Sequence, residues 1–198
     1  MFRLKLALIV TVSVSAASSL ANDWPYWRGP EQTGFTREPA PVTTWSEDNI
    51  VWKLDDGGRT TPIVWNNKVY AIIPADAGTP KSGERVVCWD ADTGKEIWEH
   101  RFPVYLTDVV ENRVGWNSVV ADPETGNIYA HGTGGDFFCY NGENGDIIWK
   151  HSLTEEYGRI SGYGGRIMTP IVDEDRVIIS FLNSSWGSHA KPSHRNCA

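Results

Sequence analysis

Short apolar runs separated by polar turns recur along the chain, and two of them align without a gap 51 residues apart, from 88 to 139. Val87-Cys88-Trp89-Asp90-Ala91-Asp92-Thr93-Gly94-Lys95-Glu96-Ile97-Trp98 matches Phe138-Cys139-Tyr140-Asn141-Gly142-Glu143-Asn144-Gly145-Asp146-Ile147-Ile148-Trp149. Each reads as a strand, a glycine-containing turn, and a second strand ending in Ile-Trp. Thr61-Pro62-Ile63-Val64 recurs as Thr169-Pro170-Ile171-Val172, two repeat lengths on, with Asn117-Ser118-Val119-Val120 as the copy between. A polar turn and a further strand follow each of these: Lys68 to Ile73, Asn127 to His131 and Arg176 to Phe181. Ile50-Val51-Trp52-Lys53 matches the Ile-Trp strand ends and predicts the last strand of an earlier repeat.

A full repeat is therefore four short strands in about 50 residues, the period of a propeller blade or a solenoid. Four strands per unit predicts an all-β chain of four-stranded antiparallel blades, a β-propeller. A lone blade cannot bury both faces, so neighbouring blades must stack. Trp52, Trp98 and Trp149 mark the end of the fourth strand and offer large flat surfaces for that stacking. A generic β-sandwich core is the competing account of the tryptophans, but their phase-locking to the repeat speaks against it.

Turn chemistry agrees with hairpins. Asp90 can cap its turn and Gly94 supplies a left-handed backbone where one is needed. Asp122-Pro123-Glu124-Thr125-Gly126 predicts the same device between the first two strands of the next blade. These acidic turns lack the twelve-residue ligand pattern of a calcium loop, so turn formation is the better account.

Composition reinforces strands over helices: glycine (19), proline (11) and tryptophan (10) are abundant, while methionine is scarce. Apolar residues make up 40% of the chain and aromatics 12%, enough to bury a core and incompatible with a disordered chain. A net charge of −7 without a basic stripe argues against a nucleic-acid or anionic-membrane partner.

The first residues change the picture of location. Arg3 and Lys5 precede an apolar run from Leu6 to Val14, and Ser19-Leu20-Ala21 places small side chains before Asn22. Residues 1–21 read as a cleaved export signal, too short to span about 30 Å of hydrocarbon as an anchor. No later stretch has transmembrane length. Removing Arg3 and Lys5 takes the net charge to −9, and the expected compartment is periplasmic or extracellular. Residues 22–48 form an aromatic N-terminal segment, and residues 49–198 the propeller part.

The set Asp90, Thr93, Gly94 and Trp98 resembles the repeat of pyrroloquinoline-quinone-type propellers, a superfamily of quinoprotein alcohol dehydrogenases and the non-catalytic lipoprotein of outer-membrane β-barrel assembly. The second copy keeps Gly145 and Trp149 but has Asn141 and Asn144. Trp24-Pro25-Tyr26-Trp27-Arg28-Gly29-Pro30 resembles the opening of exported propellers of planctomycete-type bacteria. Gly165-Arg166, Thr169-Pro170-Ile171-Val172, Ser185-Trp186-Gly187 and His194-Arg195 resemble a middle blade of that group. The resemblance implies an eight-bladed ring, of which this chain would be roughly the N-terminal half: one outer strand, two whole blades and half of another. For a dehydrogenase it also implies the quinone, a calcium ion, a catalytic Asp, a Trp platform and often two adjacent cysteines. The chain has no Cys-Cys pair, and no Asp or Trp is assignable to a catalytic position.

Other candidate chemistry is modest. Cys88 and Cys139 occupy equivalent sites in consecutive blades, which favours small buried thiols over a bridge between them; Cys197 is left over, one residue before the third copy of that site at Ala198. His189 and His194 could share a metal but supply no third ligand. With Trp186, Lys191 and Arg195 they fall in an insertion between the second and third strands of the last blade, the expected ligand-facing rim. Gly162-Tyr163-Gly164-Gly165-Arg166 reads as an inter-blade crossing and Gly132-Thr133-Gly134-Gly135 as a strand-to-strand turn. The pair Glu155-Glu156 is expected in an exposed loop. Two functions remain open: an exported binding or scaffold propeller for an unknown protein or small-molecule ligand, and a quinone- and calcium-dependent dehydrogenase of alcohols or sugars. The first is preferred, because no cofactor-specific residue can be assigned.

Overall fold

A computed structural model describes residues 23–37, 43–104, 111–157, 168–182 and 195–197; for 181–182 and 195–197 it describes the backbone alone. Strands β1 (Ile63–Trp65), β2 (Lys68–Ala75), β3 (Gly83–Asp90) and β4 (Glu96–Pro103) form one antiparallel sheet in chain order. Strands β5 (Val120–Ala121), β6 (Asn127–His131), β7 (Asp136–Asn141) and β8 (Ile147–Ser152) form a second. Two hairpins follow: β9 (Ile171–Asp173) with β10 (Arg176–Ile178), and β11 (Ser180–Leu182) with β12 (Arg195–Cys197). The fold is all-β, built of propeller-type blades that do not close into a ring among the described residues.

The sequence repeat is a repeat of register. Tyr70 pairs with Cys88 and Cys88 with Trp98; in the second blade Tyr129 pairs with Cys139 and Cys139 with Trp149. Each ladder slips just after its cysteine, between Cys88 and Trp89 and between Cys139 and Tyr140. Such a bulge bends its strand and re-aims the neighbouring side chains. Tight turns hold these strands. Asn66 and Asn67 both adopt positive φ between β1 and β2, as two-residue hairpin turns demand. Between β3 and β4, Asp90 accepts the backbone N–H of Thr93 at 2.8 Å and its hydroxyl at 2.6 Å. Asn141 takes over as acceptor in the second blade, from the N–H groups of Glu143 and Asn144.

The core lies between blades. Ile63, Tyr70, Ile72, Val86, Cys88, Trp98 and Phe102 on one face of the first blade pack against Val119, Ala121, Ile128, Ala130, Phe138 and Tyr140 of the second. The second blade repeats the arrangement on its far face, where Tyr129, Phe137 and Trp149 meet Val177 and Ile179. Strand β1 neighbours β5, and β5 neighbours β9, so the first strands converge as the inner strands of a propeller do. The N-terminal segment lies on this inner side. Trp24 forms a two-bond bridge with Val64, and Pro25 accepts a hydrogen bond from Ala121 N–H at 3.0 Å.

Several elements differ from expectation. Residues 50–54 form no strand, although Trp52 is half-buried and docked on the first blade. The run from Arg176 to Phe181 is interrupted at Ile179, whose side chain is buried against the second blade. Glu155 and Glu156 belong to the short helix α1 (Leu153–Tyr157), anchored by buried Leu153, rather than to a loop. Leu182 pairs with Arg195 as Pro74 pairs with Glu84, so Arg195 takes the slot of Glu84, not that of Arg85, and the cysteine equivalence at Ala198 does not follow. Among the described residues no helix is long and apolar enough to cross a membrane.

Candidate functional site

The segments leading into the inner strands meet at one end of the blades. Buried Asn117 ties three of them together: its carbonyl accepts the Thr60 hydroxyl at 2.6 Å, its amide donates to the His131 carbonyl, and its Oδ1 accepts Met168 N–H at 3.1 Å. Ser118 Oγ accepts Thr61 N–H at 3.2 Å. Asparagine suits this place because one amide offers both donors and an acceptor.

Beside it sits a fully buried carboxylate. Glu84, at the start of β3, accepts Gly115 N–H and Thr133 N–H, each at 2.8 Å, and the Thr133 hydroxyl. Burial raises its pKa above the usual glutamate value, and these three donors work against that shift. Gly115 is required there: its φ is +70°, and a Cβ would come within 2.4 Å of Pro74. Glu84 therefore clamps the first blade to the 111–117 connection and to the β6–β7 turn. That turn, residues 132–135, is the strand-to-strand turn expected from the sequence.

His100 is a further titratable group inside the blade interface. Its Nδ1 lies 2.7 Å from the Tyr140 hydroxyl, and its ring packs on Phe102 and Phe138. Burial lowers its pKa, Lys150 lowers it further and Asp136 opposes both. Cys88 and Cys139 are free, buried thiols, with burial raising their pKa values to about 12 and about 11.

At this end two guanidinium groups meet one indole, with Arg59 exposed and Arg113 and Trp116 half-buried. Arg113 lies 4.2 Å over the Trp116 ring and Arg59 5.3 Å from it. Arg59 also donates to the Asn112 carbonyl at 2.8 Å. Such cation–π contacts contribute about 0.5–2 kcal/mol each. The Trp116 Nε1–H is buried with no acceptor among the described residues, at a cost of roughly 1–3 kcal/mol. Arg59 also borders an open cleft of about 660 Å³, lined with Gly57, Pro74, Ala77, Glu111 and Val114 among others.

Of the rim residues expected from sequence, Trp186, His189, Lys191 and His194 lie outside the described residues, as do residues 1–21 and 162–166; Arg195 is described through its backbone in β12. Sequence reasoning missed Arg59, Arg113 and Trp116. Their signal was a tryptophan out of phase with the strand-ending set, one residue before the Asn117-Ser118 copy, with an arginine three residues earlier.

A family model for PQQ-type repeats, described as outer membrane protein assembly factor BamB, matches residues 82–187. Among curated proteins there is no significant match. Solved structures with similar coordinates include a europium-containing methanol dehydrogenase (14% identity over 65% of this chain and 21% of that one, TM-score 0.48). Quinohemoprotein alcohol dehydrogenase from Comamonas testosteroni is 17% identical over 72% of this chain and 21% of its own, with a TM-score of 0.48. BamB from Moraxella catarrhalis is 14% identical over 68% of this chain and 34% of its own, with a TM-score of 0.43. The chain thus spans between about a fifth and a third of these proteins.

Proposed function

The chain belongs to the PQQ-repeat propeller family described as outer membrane protein assembly factor BamB, and from that premise we propose that it is an exported binding or scaffold module. One observation carries the reading: the reactive side chains of the blade interface hold blades together, while the exposed charge faces a cleft. Glu84 is enclosed by three donors, His100 is packed among aromatic rings, and the Cys88 and Cys139 thiols are buried. Arg59, by contrast, is exposed beside open space.

A calcium–quinone pair, as in a dehydrogenase, needs a converging set of oxygen ligands. Among the described residues no three His, Cys, Asp or Glu side chains come together as a metal site would require. Cys88 and Cys139 sit in different blades, so they make no adjacent pair. No described residue is assigned to hold the pair, and no step is derived through it.

Export is supported by the basic start, the apolar run to Val14 and the small residues before Asn22. The deciding experiment titrates the full chain with pyrroloquinoline quinone and calcium while tryptophan fluorescence is followed. No binding at high micromolar quinone is the expected outcome. Saturable quenching with dye-linked alcohol oxidation overturns the scaffold reading in favour of a dehydrogenase. N-terminal sequencing of the secreted protein, expected to begin at Asn22, checks the export part.

A further inference from the structure

We propose that Arg59, backed by Trp116 and Arg113, is the anion-recognising wall of a site for a small monocarboxylate with a compact apolar body.

Apart from Arg28, which lies near the Trp27 ring and donates to the Thr33 carbonyl, the described arginines separate into two groups. Arg37, Arg85, Arg101 and Arg176 each bond a carboxylate: Glu31, Asp56 with Glu99, Glu99 with Asp76, and Glu174 with Asp175. Arg59 and Arg113 have no carboxylate partner among the described residues, in a chain whose net charge is −7. Both instead place a guanidinium near the same indole. Arg59 spends Nη1 on the Asn112 carbonyl, and the fork's other N–H groups match a carboxylate. Stacking also fixes a long side chain in advance, which lowers the ordering cost of binding.

The cleft sets the rest of the ligand. Its volume of about 660 Å³ suits a small molecule. Pro74, Ala77 and Val114 supply apolar wall, and Gly57 leaves room beside Arg59. Glu111 lines the same cleft and accepts hydrogen bonds from Gly78 N–H and the Ser82 hydroxyl. Its negative charge disfavours a second carboxylate on the ligand. One anionic end and one apolar end is the pattern this cleft fits.

The site deepens the binding-module reading and rests on it. Calorimetric titration of the full chain with butyrate tests it, with butyramide as neutral analogue, succinate as dianion and a short glutamate-containing peptide as the macromolecular alternative. Saturable butyrate binding is expected, with butyramide and succinate each weaker by about tenfold or more. Arg59→Gln should weaken butyrate about tenfold, and Arg59→Lys should recover only part because the fork is lost. An unchanged thermal midpoint in each variant separates loss of the site from loss of the fold. Absence of saturable butyrate binding, or full affinity in Arg59→Gln, overturns the proposal. Tighter, Arg59-dependent binding of the peptide also overturns it, in favour of a protein partner. The quinone titration reads a different ligand, so either experiment can fail alone.

Discussion

Trp98 of the first blade lies flat against Gly145 in the β7–β8 turn of the second, and its indole N–H bonds the Gly142 carbonyl at 3.0 Å. Trp52 does the same one blade earlier, against Gly94 and the Ala91 carbonyl at 2.7 Å. The repeated geometry explains why Ile-Trp and the turn glycine recur together: the glycine is the landing place for the preceding tryptophan.

Trp98→Ala should therefore cost about 3–5 kcal/mol of unfolding free energy, as removal of a large buried aromatic does. Tyr70 and Tyr140, whose rings lie 6.1 and 5.6 Å away, would lose their common neighbour. Urea unfolding followed by circular dichroism measures the loss, and a cost below about 1 kcal/mol would contradict the docking role.

Two glycines with the same backbone separate conformational strain from crowding. Gly145 (φ +77°) would place a Cβ 2.6 Å from Trp98, whereas Gly126 (φ +73°) faces open space. Gly126→Ala should cost about 1–2 kcal/mol, the left-handed penalty alone. Gly145→Ala should cost clearly more. Equal losses in the same denaturant experiment would mean that the indole can move aside.

Glu84 and His100 give the blade interface opposite pH slopes. Glu84 has a folded pKa raised by burial, so the folded protein takes up its proton more readily than the unfolded chain. Its contribution is fully present below the unfolded value, near 4.3, and is lost as pH rises through the raised folded value. In Glu84→Gln this slope should vanish when urea midpoints are compared from pH 4 to pH 8. A slope identical to that of the parent protein would show that Glu84 does not titrate in this way.

For His100 the folded pKa is depressed by burial and by Lys150. Its contribution is present above the unfolded value, near 6.5, and is lost as pH falls through the depressed folded value. His100→Phe should remove that loss between about pH 7 and pH 5. The imidazole C–H resonances of His100, followed by NMR, should titrate below the ordinary histidine range; a midpoint at or above it would refute the shift.

The buried thiols predict slow chemistry. With pKa values of about 12 and about 11, Cys88 and Cys139 carry little thiolate at pH 8, and both are enclosed. Alkylation read peptide by peptide should label neither in the native protein and both after denaturation. Rapid native labelling of either would place it in a more open environment.

Much of this architecture was legible in the sequence because it rests on local signals. Gly94, Gly145 and the Asx-type turns are set by residues within five positions of one another, and the 51-residue offset announces the repeat. What escaped depends on distant partners. Glu84 reads as an ordinary charged residue until Gly115 and Thr133, 31 and 49 positions away, supply its donors. Arg59 and Trp116 lie 57 residues apart and meet only because two inner strands converge. Residues 50–54 misled in the other direction: the Ile-Trp pattern is genuine, but a strand also needs a partner along its edge.

The bridge from Trp24 to Val64, with Pro25 held by Ala121, ties the N-terminal segment to both blades. Residues 23–25 leave the ribosome ahead of both blades, yet their hydrogen-bonding partners lie 40 and 96 positions downstream. Closing such long loops is slow relative to forming hairpins. The segment is fully seated only with β1 of the first sheet and β5 of the second both in place, so it acts as a clasp across the pair of blades.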